Sequence, residues 1–196
     1  MTNLVRRIPQ RTRIFVGGEG NSECNYVKWL SGLCRDQCIP VAIDVHDLGS
    51  GRDPFGRIDR AARIIKHEEK TRIKYIYKFL FLDTDQLTND HQKEECQYKA
   101  SRQGNLIIVW QDPCHEAFLI QHIPNRENDR PPTSDIAMER IKKYWPEYRK
   151  NMPDREIERK LSIEGARRVA KNHNTFREFL EVIGLLRDRQ QGAERA

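Results

Sequence analysis

The sequence predicts an α/β protein in which a mainly parallel sheet of about four strands is flanked by helices. Across residues 11–123, four short apolar runs typical of strands alternate with segments whose apolar residues recur at helical spacing. Strands that alternate with helices indicate right-handed crossovers between parallel neighbours. From residue 124 onward the patterns are helical only, so residues 124–190 are predicted to form a helical C-terminal element packed on or beside the core.

The four predicted strands are short runs rich in Val, Ile, Leu and Phe. They cover residues 13–18, 41–46, 75–82 and 106–110. The first runs into the glycine pair Gly17-Gly18, and the third ends abruptly in acidic residues. Because ligands of open α/β sheets bind at the carboxyl ends of the strands, these two ends are where a site is expected.

The first two predicted helices carry apolar stripes with a helical period. The stripe of the first helix consists of Tyr26, Trp29, Leu30 and Leu33. The second helix is predicted to begin with Asp53 as its N-cap and Pro54 at its first helical position, a common pairing at helix starts. Its stripe consists of Ile58, Ala61, Ala62 and Ile65.

The other two helices of the core differ in polarity. A polar helix is predicted within residues 89–102, and an apolar helix after the fourth strand runs to residue 123. Asp112 and Pro113 repeat the cap-and-proline pattern of the second helix, so we expect them to open this apolar helix.

The C-terminal third begins with a polar, proline-containing loop over residues 124–133. One helix after it is indicated by apolar residues at helical spacing, and another is predicted within residues 161–170. Residues 175–178 have the pattern of a capping box that opens the last helix, and residues 190–196 are expected to fray. The helix after the loop is marked by Ala137, Ile141, Tyr144 and Tyr148.

The chain carries 35 Lys and Arg against 29 Asp and Glu, which gives a formal charge of +6. This balance suits a nucleic acid as partner, while a solvated basic surface explains it equally well. The residues concerned are Arg6, Arg7, Arg11 and Arg13 before the first strand, and Lys142, Lys143, Arg149, Lys150, Arg167, Arg168 and Lys171 in the C-terminal third.

Neither membrane insertion nor a disulfide framework is indicated. No apolar stretch approaches the ~18–20 residues that span a bilayer, and the first residues lack a signal-peptide core. We therefore expect a cytoplasmic protein with no membrane contact. The five cysteines are odd in number and contain no CxxC pair, so they are predicted to be reduced, mostly packed thiols. Cys34 and Cys38 have the spacing of one helical turn, but Ile39-Pro40 argues against a zinc site there.

Acidic residues follow the first and third predicted strands. Asp83 and Asp85 are two residues apart after the third strand, so their side chains point the same way if the strand continues. Glu19 follows the first strand between glycines, which leave its carboxylate open to a substrate. Paired carboxylates are suited to Mg²⁺ or Mn²⁺. The alternative is an acidic loop that stops the strand and caps the next helix.

Further acidic residues and histidines near the ends of strands have two explanations each. Glu23 and Glu116 fall in the first turns of predicted helices, where a carboxylate complements the helix dipole; either residue could instead belong to the site. His115 and His122 lie on one face of an apolar helix, where a histidine is more often a packed core residue than a ligand.

Three segments together resemble the RloB-like family, bacterial proteins with a Toprim-type domain found near restriction and phage-defence genes. They are the E-G-x-[ST]-E-x-x-Y pattern of residues 19–26, the strand-borne D-x-D of residues 83–85, and residues 112–122. In the family the third motif reads approximately N-P-C-F-E-x-W-L-L-x-H. Here Asp112, His115 and Phe118 replace its Asn, Phe and Trp.

The resemblance implies a Toprim-like core in which Glu19 is the acid after the first strand and Asp83 and Asp85 are metal ligands. It implies metal-dependent cleavage of DNA or RNA, including transfer RNA, in anti-phage defence. It also implies a protein partner encoded nearby, such as an ATPase or another defence component; homo-oligomerisation stays open. The predicted catalytic residues are Glu19, Glu23, Asp83, Glu116 and His122, and the predicted metal ligands are Glu19, Asp83 and Asp85.

Two other functions are weighed against a nuclease. Residues 82–85 resemble the D-x-D motif of haloacid-dehalogenase-like phosphatases, but that family usually carries the motif on its first strand, whereas here it follows the third. The second alternative is a non-catalytic nucleic-acid-binding or regulatory subunit that keeps the Toprim fold and leaves cleavage to a partner. Binding that is sensitive to salt and independent of metal would identify such a subunit.

Overall fold

The computed structural model of this protein describes residues 11–49, 51 and 53–186. Within these residues, four strands pair in parallel into one sheet, and the order across the sheet is second, first, third, fourth. The strands are β1 (Thr12–Gly18), β2 (Val41–Asp47), β3 (Tyr77–Asp83) and β4 (Ile107–Gln111). The α/β class and the mainly parallel sheet of about four strands are confirmed, and the sheet is consistent with a Toprim-like arrangement.

Helices connect the strands and continue after the last of them. Those of the core are α1 (Asn21–Asp36), α2 (Pro54–Glu68), α3 (Asp90–Arg102) and α4 (His115–Ile120). The helical C-terminal element is also confirmed. It comprises α5 (Ser134–Tyr144), α6 (Asp154–Glu158), α7 (Ile163–Ala170) and α8 (Asn174–Val182). None of the described helices is long and apolar enough to cross a membrane.

The sheet is covered on both faces because successive side chains of each strand point in opposite directions. In β3, Phe79 and Phe81 face one apolar cluster with α1, α4 and α8, whereas Leu80 and Leu82 face another with α2 and α3. The C-terminal helices therefore take part in the main core. Phe179 of α8 packs edge-on against Phe79 and Phe81, with ring centroids 5.0 and 5.3 Å apart.

The predicted start of α2 is confirmed, whereas the same pattern before α4 is misleading. Asp53 caps α2 by accepting a hydrogen bond from the Gly56 N–H, and Pro54 is the first helical residue. Before α4 the N-cap is Cys114. The carboxylate of Asp112 instead accepts a hydrogen bond from the hydroxyl of Thr84, 2.7 Å away, so it is not available to a helix.

Two predictions for the C-terminal element are wrong in detail, and α6 was not predicted. Helix α5 ends at Tyr144, because the residue before Pro146 is sterically disfavoured from helical geometry, and Tyr148 therefore lies beyond the helix. The N-cap of α8 is His173, and Thr175 lies inside the first turn rather than capping it. Residues 187–190 of the predicted element and the expected frayed end, 190–196, lie outside the described residues.

The structure describes all of the cysteines and part of the basic arm, which consists of Arg6, Arg7, Arg11 and Arg13. All five cysteines belong to the described part of the chain and are free thiols, and four of them are buried.

In the basic arm, Arg6 and Arg7 lie outside the described residues. Nη2 of Arg13 forms salt bridges with Oδ2 of Asp44 at 2.7 Å and with Oε2 of Glu68 at 3.2 Å, so the charge of Arg13 is already compensated within the fold.

Candidate active site

The strand order places a crevice between the carboxyl ends of β1 and β3. The chain leaves β1 for β2 on one side and then crosses to β3 on the other, which is the switch point where open α/β sheets bind ligands. Glu19 follows β1, and Asp83 ends β3. The Glu19 N–H donates to the Phe81 carbonyl at 3.1 Å, and the Asp83 N–H donates to Oε2 of Glu19 at 3.1 Å. These bonds join the two acidic segments.

Among the described Asp and Glu residues, Asp83 has the most strongly shifted pKa. Its Oδ1 atom is buried and has no hydrogen-bond partner. Burial, followed by the negative charges of the neighbouring carboxylates, raises the pKa of Asp83 to about 10. Those neighbours are Glu23, Glu19, Asp85 and Glu116. The structure therefore brings all five predicted carboxylates to the crevice, where their mutual repulsion favours binding of a cation.

Glu19 is held by a buried arginine that the sequence patterns did not single out. Nη2 of Arg57, on α2, lies 2.8 Å from Oε1 of Glu19, and the Arg57 side chain is only 1% exposed. Burial raises the pKa of Glu19, while the hydrogen bond from the Asp83 N–H and the charge of Arg57 oppose that rise. Glu19 is thus fixed through both of its oxygens.

Glu23 both caps α1 and faces the crevice. Its Oε2 accepts a hydrogen bond from the Gly20 N–H at 2.8 Å, while its Oε1 lies 4.0 Å from Nδ1 of His115. Gly18 lets the first turn of α1 approach β1 this closely, since a Cβ atom there would lie 3.0 Å from Cβ of Glu23 and 2.9 Å from Sγ of Cys24. The two explanations of Glu23 are therefore not exclusive.

The C-terminal element supplies hydrogen bonds to the other two carboxylates. The Ser134 hydroxyl at the start of α5 donates to Asp85 at 2.8 Å. The Tyr148 hydroxyl donates to Oε1 of Glu116 at 2.9 Å, with both residues buried. Burial and the charge of Glu116 raise the pKa of Tyr148, so the phenol stays protonated and acts as a donor. Residues beyond the predicted core thus orient two carboxylates in the crevice.

The segment after β4 supports the loop that carries Asp85. The carbonyl of Pro113 accepts hydrogen bonds from the N–H groups of Thr84 and Asp85, at 3.1 and 3.0 Å. The peptide bond between Asp112 and Pro113 is cis. The Thr84 hydroxyl bonds Asp112. The third motif therefore fixes the second one by direct hydrogen bonds, which explains why Asp112 is not a helix cap.

His115 and His122 occupy different environments. His115 is buried between Gln111, whose amide nitrogen lies 2.8 Å from Nδ1, and Glu23. His122 is buried, and both of its ring nitrogens form hydrogen bonds. Its Nδ1 donates to the Phe118 carbonyl at 2.9 Å, so its Nε2 accepts from the Tyr26 hydroxyl at 2.8 Å. Burial lowers the pKa of His122 to about 3. The structure does not bring His122 together with the carboxylates, and this neutral imidazole links α1 to α4.

The sequence contained a partial signal for Arg57 and none for the others. Arg57 precedes the apolar stripe residue Ile58 and lies four positions before Ala61, so it is a charged residue on the buried face of a helix. Such a residue calls for a buried partner. Ser134 and Tyr148 reach the crevice only through the packing of the C-terminal element, which periodicity does not encode.

Comparison with protein-family models, with curated proteins and with solved structures found no match for this chain. The case for a function therefore depends on the chemistry of the crevice and on the motifs that form it. Three of those motifs, which are distant in the sequence, contact one another through the hydrogen bonds of Glu19, Asp83 and Pro113.

The carboxylates of the crevice fit a hard divalent cation by chemistry. Within the described part of the chain, no three His, Cys, Asp or Glu side chains are already arranged to hold a metal ion. The buried Oδ1 of Asp83 nevertheless has no hydrogen-bond partner, and a bound cation would give it one. Asp85 is exposed and free to reorient once its bond to Ser134 breaks. The donor set is all oxygen, as Mg²⁺ and Mn²⁺ prefer.

Proposed function

We propose that this protein is a metal-dependent nuclease that cleaves phosphodiester bonds of DNA or RNA, transfer RNA included. The observation that carries the proposal is the buried, unpartnered Asp83 oxygen at the switch-point crevice, with four further carboxylates around it. A site built only to stabilise the fold would pair Asp83 as well, whereas here its buried Oδ1 has no hydrogen-bond partner. The resemblance to the RloB-like family further suggests action in the bacterial cytoplasm during anti-phage defence.

In this proposal Glu19, Asp83 and Asp85 would hold Mg²⁺ or Mn²⁺. When bound, the ion would neutralise charge on the scissile phosphate and promote formation of the attacking hydroxide. Glu19 is oriented for this role by Arg57. Glu23 and Glu116 are the carboxylates left to accept or return a proton in the crevice. His122, with both ring nitrogens engaged, supports the packing of α1 on α4.

The test is a cleavage assay on end-labelled DNA, RNA and transfer RNA with Mg²⁺ or Mn²⁺. We expect the wild-type protein to cut at least one of these substrates, and a chelator to stop the reaction. The Asp83→Asn variant should leave every substrate intact. If neither metal supports cleavage of any of the three substrates, the nuclease proposal is wrong.

A non-catalytic nucleic-acid-binding or regulatory subunit is the second candidate. The observation that favours it is the absence, within the described residues, of three ligands already arranged for a metal. A subunit of this kind binds nucleic acid equally well in chelator and in Mn²⁺ and does not cut it. The same preparations, assayed for binding with and without metal, separate the two functions.

Removing the Tyr148 hydroxyl should slow cleavage at a limited cost in stability. Tyr148→Phe keeps the ring that packs on Trp145, with centroids 5.4 Å apart, and deletes only the donor to Glu116. A lost hydrogen bond to a charged group costs about 1.5–3 kcal/mol of stability at most. We expect kcat to fall by about tenfold or more, and thermal melting of the same variant measures its loss of stability. Tyr144→Phe, whose hydroxyl contacts Asp129 instead, is the matched control and should cut normally.

Nucleic-acid binding should weaken as salt rises, and Lys150 should contribute to it. The next residue, Asn151, accepts and donates hydrogen bonds with the first turns of α1, so Lys150 lies beside the crevice. It is exposed and forms no ion pair among the described residues. We expect log K to fall linearly with log salt, by about 0.7–0.9 per phosphate contact.

Lys150→Gln should reduce that salt slope by about 1. Lys66→Gln is the control, since Lys66 is exposed in the last turn of α2, at the opposite edge of the sheet. Equal slopes in the two variants, measured by filter binding or fluorescence anisotropy, would remove Lys150 from the interface.

A further inference from the structure

Arg57 is an unusual residue for its position. It is a fully buried arginine whose Nη2 pairs with Glu19 at 2.8 Å and whose Nη1 donates to the exposed Gln86 at 3.2 Å. Its Nε atom is buried without a partner. Among the described residues, it is the only lysine or arginine that forms an ion pair with any of the five carboxylates of the crevice.

The burial of Arg57 determines what Glu19 can do when a cation binds. If Glu19 moved away to coordinate a metal, Arg57 would be left as an uncompensated buried charge, which is strongly unfavourable. Glu19 therefore stays paired. A carboxylate has about four lone-pair sites, and Arg57 and the Asp83 N–H occupy one on each oxygen. The remaining lone pairs stay available to a ligand.

We propose that Arg57 is a positioning residue of the metal site, which holds Glu19 in one orientation with and without the ion. The guanidinium is suited to this task because its planar fork contacts Glu19 and Gln86 at the same time. A lysine at this position would keep the charge but could not make both contacts. The inference rests on the proposed metal site, and it adds a residue that no motif of the sequence contains.

The test is titration calorimetry with Mn²⁺ on folded variants. Arg57→Met should weaken Mn²⁺ binding about 10–100-fold, as is usual when a partner of a metal ligand is lost. Arg57→Lys should recover part of the affinity, and Gln86→Ala should weaken binding about threefold through loss of one hydrogen bond. Arg63→Met, on the exposed face of the same helix, should bind as the wild type does.

The outcomes separate positioning from mere stabilisation. If Arg57→Met lowers the melting temperature but the folded protein binds Mn²⁺ with wild-type affinity, Arg57 is structural and the inference fails. Tighter binding in that variant would mean that Arg57 competes with the metal, which also overturns it. Should Arg57→Met not fold, Arg57→Lys and Gln86→Ala decide, because unchanged affinity in both contradicts the inference. A wild-type protein that binds no Mn²⁺ would refute the metal site itself. Normal Mn²⁺ binding in all of the variants would refute only the positioning role of Arg57.

Discussion

Replacing Asp83 with Asn should abolish both Mn²⁺ binding and cleavage while making the metal-free protein more stable. The carboxyl is buried beside four others, which raises its pKa, so the folded protein must take up a proton that the unfolded chain has released. A neutral amide of the same shape removes that cost. Loss of function with a gain in stability is the pattern expected of a residue kept for its chemistry. Calorimetry, the cleavage assay and thermal melting on one preparation test all three effects.

The pH dependence of stability gives an independent readout of the same residue. Because the pKa of Asp83 is raised to about 10 in the folded protein, the native state holds a proton that the unfolded state has released above about pH 4. Stability of the metal-free protein should therefore fall as pH rises from about 4 towards 10. Asp83→Asn should flatten this fall, and Mn²⁺ should reduce it in the wild type.

The control for Asp83 is Asp36→Asn, at the exposed C-terminal end of α1. That residue is 15 positions from the start of the helix, or about 22 Å at 1.5 Å per residue, so it is remote from the crevice. It should leave Mn²⁺ affinity, cleavage and the pH dependence unchanged. Equal Mn²⁺ affinity in the wild type and in Asp83→Asn would refute the metal site.

The second large effect is expected at Glu23. The Gln side chain keeps an oxygen that can accept the Gly20 N–H, as Oε2 does now, so the cap survives the substitution. Loss of the dipole interaction costs only about 0.3–1 kcal/mol, and relief of the repulsion between Glu23 and Glu19 offsets it. We therefore expect Glu23→Gln to melt at or above the wild-type temperature. Its cleavage rate should fall by about 10²–10⁴, the range for loss of a proton-transfer group.

Glu164→Gln is the matched control for Glu23, since Glu164 also lies in the first turn of a helix, α7, but is exposed. That variant should cut normally, with a small loss of stability at most. A Glu23→Gln protein that melts earlier yet cuts at the wild-type rate would show that Glu23 serves only as a cap. Melting curves and initial cleavage rates distinguish these results.

Two identical sequence patterns show where local inference stops. Asp53-Pro54 and Asp112-Pro113 are the same dipeptide, and each precedes a helix. The carboxylate of Asp53 accepts a hydrogen bond from Gly56 of the helix that it precedes, so local chemistry decides its role. Asp112 lies beside the end of a neighbouring strand, and its carboxylate accepts a hydrogen bond from the Thr84 hydroxyl. The difference depends on a residue 28 positions away, which no local pattern describes.

The sequence by itself determined the alternation of strands and helices and the positions of Glu19 and Asp83 at strand ends. These features depend on backbone periodicity and on residues close in the chain, so short-range patterns carry them. Only the tertiary structure decided that Arg57 pairs with Glu19, that Tyr148 bonds Glu116 and that His122 is enclosed. Each of these outcomes depends on which distant groups meet in a buried volume, where every charge and hydrogen-bonding group needs a partner. The choice of that partner is made by packing, which acts between residues far apart in the chain.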